Sequence, residues 1–85
     1  MDNKWIQITF NDAILYCERA GFKCKEVDLF EADIKEFYLP NTKIQFKYRI
    51  HNGDPVKFYI CPMVDGKIVD YETFKQEVET AKKKA

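Results

Sequence analysis

Lys43-Ile44-Gln45-Phe46-Lys47-Tyr48-Arg49-Ile50 alternates four polar residues with four apolar ones without a fault. Successive side chains of a strand point to opposite sides, so the run reads as a β-strand with one buried face and one wet face. Val56, Phe58 and Ile60 resume the alternation after His51-Asn52-Gly53-Asp54-Pro55, and the two runs are expected to form a hairpin. A two-residue Asn52-Gly53 turn would set Tyr48 against Lys57 and mix apolar with polar side chains on each face. A three-residue loop from His51 to Gly53, with Gly53 left-handed, instead sets Tyr48 against Val56, Phe46 against Phe58 and Ile44 against Ile60. Matching of faces selects this second register.

Working outward, Ile34 to Leu39 reads as the preceding strand, closed by Pro40-Asn41, a pair suited to a tight turn. The same matching of faces pairs Phe37 with Ile44 and Tyr38 with Lys43. A three-stranded antiparallel meander over residues 34–39, 43–50 and 56–62 follows. Nearer the start, Lys4 to Phe10 alternates less cleanly, with Trp5 on the polar side, as a half-buried first strand does. Phe10, Ala13, Ile14, Cys17 and Ala20 then recur at helical spacing, predicting a helix over about 10–20. Thr9 and Asp12 stand at its start, and Gly21 ends it in a left-handed conformation that folds Phe22 back on Cys17. Val27 and Leu29 alternate with Glu26 and Asp28, giving a strand over 23–30 and a turn at Glu31-Ala32-Asp33. Asp65-Gly66 turns the chain into a short edge strand, Lys67 to Val69. Asp70 caps a final helix over about 70–83 whose Tyr71, Phe74, Val78 and Ala81 form one stripe, with Glu72 in the first turn and Lys82, Lys83 and Lys84 in the last.

A chain of 85 residues has room for one hydrophobic core, because a second would not offset its own ordering entropy. With 46% hydrophobic residues and zero net charge, it lies far from the disordered regime. The expectation is a single α+β domain over residues 1–85, a mainly antiparallel sheet with two helices on one face. Lys plus Arg and Asp plus Glu number 14 each, so no global excess of charge draws the protein to nucleic acid or an acidic membrane. No apolar run approaches bilayer length, and Met1-Asp2-Asn3-Lys4-Trp5 does not resemble a secretory leader. Cys17, Cys24 and Cys61 fit no tight motif and are read as reduced thiols, so the cytoplasm is the expected compartment.

Two helices cover one sheet face and leave the other exposed. On the expected registers the uncovered face carries Ile34, Glu36, Tyr38, Lys43, Gln45, Lys47, Arg49, Lys57, Tyr59 and Cys61. Tyr38, Lys43, Lys47, Arg49, Lys57 and Tyr59 form the candidate partner-binding set. Cations with aromatic rings would suit single-stranded nucleic acid, although a polar outer face is also ordinary for an antiparallel sheet and the neutral total charge speaks against phosphate binding. Cys17, Cys24, Cys61 and His51 add up to a zinc ligand count, but their spacing lacks the paired knuckle such sites use, so neither metal nor cofactor is expected. No Ser occurs, His51 sits in a loop, no Gly-rich phosphate loop exists, and no catalytic residue is assigned. Glu26, Asp28, Glu31, Asp33 and Glu36 make an acidic counterpart, either a solvated edge or a dock for a basic partner. Such segregation of charge suits oriented protein recognition. The reading is a non-enzymatic protein-binding module, an adaptor, subunit or inhibitor of the kind phages and mobile elements encode. The alternatives are a single-stranded nucleic-acid binder and an enzyme whose site is assembled from distant residues.

Overall fold

The computed structural model describes residues 5–25 and 34–84. Among them, six strands form one sheet: β1 (Ile6–Ile8), β2 (Lys23–Lys25), β3 (Ile34–Tyr38), β4 (Ile44–His51), β5 (Lys57–Val64) and β6 (Lys67–Ile68). Helix α1 (Phe10–Ile14) runs on into a π-helical turn, Leu15–Arg19, and α2 spans Tyr71–Lys84. The strand order is β1-β5-β4-β3-β2, with β6 also on β5, and every pairing is antiparallel. The expected α+β class, the central meander and the two helices on one face are all present. The segment expected to continue the second strand and turn at Glu31-Ala32-Asp33 lies outside the described residues.

The β4–β5 register departs from expectation by four residues. Tyr48 pairs with Ile60, Phe46 with Pro62 and Ile50 with Phe58, leaving residues 52–56 as the loop. An even shift keeps each side chain on its own face, so matching of faces cannot separate the two registers. Proline separates them. The expected register would set Pro55 in the ladder opposite Arg49, whereas here it lies in the loop. Pro62 does enter the strand, but its carbonyl accepts from Val69 N–H on the far side of β5 (3.1 Å). Its missing N–H points the same way and costs the β4 ladder nothing.

The β3–β4 register moves by two. Phe37 pairs with Phe46 and Tyr38 with Gln45, so Lys43 leaves the ladder. Asn41 has φ 65° after Pro40, as a type II turn requires, and Thr42 N–H donates to the Leu39 carbonyl (3.2 Å). The Thr42 hydroxyl donates to the same carbonyl (2.8 Å) and accepts from Ile44 N–H (3.1 Å), which widens the turn. The shift stacks Phe37 on Phe46, with centroids 5.0 Å apart and planes within 9°.

Phe46 is the hub of the core, 1% exposed, with Tyr16, Phe22 and Phe74 also around its ring. Because Tyr16 belongs to the first helical segment and Phe74 to α2, both helices sit on the Phe46 face. Phe58 is not opposite Phe46. It is half-buried and carries Phe10, itself 58% exposed, at 5.6 Å. Along the first helix the buried stripe is Ala13, Tyr16 and Ala20, so Tyr16 takes a core place that the sequence reading had not assigned. The Ala20 N–H reaches back five residues to the Leu15 carbonyl (2.7 Å), which closes the π turn, and Gly21 follows at φ 94°. The caps are as expected. Asp12 N–H donates to Thr9 Oγ1 (3.1 Å), and Thr73 N–H donates to Asp70 Oδ1 (2.8 Å).

Candidate functional site

Every second residue of β3, β4 and β5 faces away from Phe46, and cross-strand pairing brings these residues together. One row across the sheet holds Lys25, Glu36, Lys47 and Cys61. A second holds Lys23, Tyr38, Gln45 and Met63, a third holds Ile34, Arg49, Tyr59 and Gln7, and His51 pairs with Lys57 at the end. Among the described residues no helix lies on this side. Among the described residues five cations, Lys23, Lys25, Lys47, Arg49 and Lys57, share it with one carboxylate, Glu36.

Five of the six expected site residues, Tyr38, Lys47, Arg49, Lys57 and Tyr59, are on this face. Lys43 is not part of its ladder. It sits in the β3–β4 turn and pairs with Asp65 at 3.4 Å, because the two-residue register shift removed it from the strand. Lys23 and Lys25 escaped the sequence reading, since only the pairing of β2 with β3 places them beside Tyr38 and Glu36. Cys61 is on the face but only 5% exposed, and it does not belong to the core cluster under the helices. The acidic stretch falls outside the described residues except for Glu36.

Charge neutralisation separates the cations further. Lys43 has Asp65 and Lys75 has Glu72 (3.0 Å), whereas among the described residues Lys47, Arg49 and Lys57 form no ion pair. No family model, curated protein or solved structure matches the chain. What the face can bind therefore has to follow from its own geometry. Tyr38 and Tyr59 are two strands apart across the sheet and four positions apart along it. Strand dimensions put them about 16 Å from one another, too far for successive bases to stack on both. A shallow cleft of about 410 Å³ opens at the Tyr38 end, between Thr42, Lys43, Gln45, Asp65 and Gly66.

Other polar groups join the two helices. Tyr71 OH donates to Asp12 Oδ2 (3.0 Å), tying the start of α2 to the start of α1. Burial pushes the Tyr71 and Tyr16 phenols above their ordinary value, and the carboxylate of Asp12 adds to the effect on both, so they remain protonated. Burial likewise pushes the Cys17 thiol up to about 11, which leaves little thiolate to act as a nucleophile. Among the described residues no three His, Cys, Asp or Glu side chains converge as metal ligands, and no helix is long and apolar enough to cross a membrane.

Proposed function

We propose that this chain is a non-enzymatic protein-binding module, an adaptor, subunit or inhibitor, that docks through the sheet face its helices leave uncovered. The observation that carries the reading is the set of cations Lys47, Arg49 and Lys57, which form no ion pair among the described residues, next to the half-buried Tyr59 and on the side opposite both helices. These cations stand on the face of the sheet opposite the Phe46 core. Tyr38, Met63 and Ile34 add apolar surface, and Glu36 stands between Lys25 and Lys47. A mosaic of cations, rings and one acid suits a protein surface, with the charges steering approach and setting orientation. A polyanionic strand would meet Glu36 unfavourably, and the separated tyrosines give it no continuous stacking platform. The cytoplasm is the compartment in which such a module with reduced cysteines would work.

The test is a combined Lys47→Glu and Lys57→Glu variant. Retention of the native partner from cell extract, with nuclease present, should be lost while thermal unfolding stays close to that of the parent. Unchanged retention would overturn the reading.

A further inference from the structure

Of the five cations of the open face, Lys47 and Arg49 lie along β4 and Lys57 beside its end on β5, while Lys23 and Lys25 stand two strands away on β2. Lys47, Arg49 and His51 occupy successive outward positions of β4, with Lys57 beside His51 and Tyr59 beside Arg49. Outward positions of a strand recur about every 6.6 Å. Towards the β3–β4 turn the same line continues in uncharged residues, with Gln45 between Tyr38 and Met63. Along β4 itself the outward positions are thus charged towards the β4–β5 loop and uncharged towards the β3–β4 turn, with Lys23 on β2 the cation at that end. Cys61, 5% exposed, lies in the middle of the face without projecting from it.

We infer that the occupant of this face is an extended segment of a partner protein, with acidic residues at alternate positions, laid along β4. This inference rests on the face being a protein-docking surface and adds the chemistry of what docks. In an extended segment the side chains that share a side recur at the same 6.6 Å, so alternate carboxylates stay in step with Lys47 and Arg49 and end near Lys57. Strands of packed sheets run nearly aligned, which lets one segment follow β4 over its whole outward row. Consecutive acidic residues would put half their carboxylates on the side facing away. The charge deficit on the face supplies the attraction, since Lys47, Arg49 and Lys57 have no ion-pair partner among the described residues.

The probes are two synthetic octapeptides of identical composition, one alternating glutamate with threonine and one with four glutamates followed by four threonines. Each is titrated into the isotope-labelled full chain, with an eight-nucleotide oligo-dT as a third arm. The alternating peptide should bind at least fivefold more tightly than the block peptide. It should shift the backbone amides of Lys47, Arg49, Lys57 and Tyr59, and lose its binding in a Lys47→Glu, Arg49→Glu variant whose own spectrum remains folded. Equal affinity for the two peptides, or shifts confined to other surfaces, would overturn the inference. If that happens while the Lys47→Glu, Lys57→Glu variant still loses the native partner, the docking face stands and only the extended acidic occupant falls. Tighter binding of the oligonucleotide than of either peptide would overturn both.

Discussion

Phe46 and Lys47 are neighbours in the chain and belong to opposite worlds. Phe46 is 1% exposed amid the rings of Tyr16, Phe22, Phe37 and Phe74, whereas Lys47 stands exposed in a row with Lys25, Glu36 and Cys61. On the covered face each side chain is held by contacts that leave few acceptable replacements, because interiors pack at crystal-like density. On the open face the backbone ladder would tolerate almost any polar residue. The open face is therefore where the proposed docking can be tested without disturbing the core.

Removing Phe46 tests the covered side most severely. Phe46→Ala should cost about 3–5 kcal/mol in urea unfolding, comparable with much of a small domain's stability, and leave the chain largely unfolded. Phe58→Ala should cost clearly less, because Phe58 is half-buried under the exposed Phe10. Equal costs would show that the hydrophobic core extends further towards the hairpin loop than the burial of these two rings implies.

A smaller effect is expected where the two helix starts are joined. Tyr71→Phe removes the hydrogen bond to Asp12 and should cost about 1–2 kcal/mol by the same measurement. It should also soften the alkaline loss of stability. With both phenols held above the ordinary value of 10.0, mainly by burial, their contribution is complete below that pH and declines as the pH rises beyond it. A Tyr71→Phe variant with the parent's stability above pH 10 and below it would break this account.

Asp70 tests the acid side more gently. Hydrogen bonds from the Thr73 side chain and backbone hold its carboxyl below the ordinary 3.8. Its contribution is therefore complete above that value and is lost as the pH falls through the native one. Asp70→Asn keeps a capping oxygen, so its melting temperature should follow pH less steeply than the parent's over the acid range. Identical acid profiles would place the loss elsewhere.

The smallest stability change belongs to the open face. Lys47→Glu with Lys57→Glu should alter unfolding by no more than about 0.5 kcal/mol, the usual range for exposed substitutions. The same variant should lose its partner. A large loss of stability instead would mean that the open face helps to hold the fold, and the contrast between the two sides of β4 would disappear.

Much of this architecture is legible along the chain because its causes are local. Alternation over residues 43–50 marks β4, Thr9 and Asp70 announce helix starts by offering side-chain oxygens to free N–H groups, and the Tyr71, Phe74, Val78 and Ala81 stripe marks the packed side of α2. Parity of side chains also placed Tyr38, Lys47, Arg49, Lys57 and Tyr59 together on the face turned away from Phe46. Tyr16 was harder to find, because its hydroxyl disguises a ring that serves the core and reaches the polar pair Tyr71 and Asp12 only when both helices are docked.

The sequence by itself determined which face each residue of the central strands takes, since the pleat reverses at every position whatever the partner strand. Tertiary structure alone decided how the strands slide and which ones meet. Registers differing by two or four residues bury the same faces equally well, so the choice fell to Pro55, Pro62 and the hydrogen bonds of Thr42. The same holds for β2, whose pairing with β3 adds Lys23 and Lys25 to the open face. An edge strand of three exposed residues carries little periodicity of its own. Its place is set by the free hydrogen-bonding edge that the rest of the sheet presents, and that edge exists only after the sheet has formed.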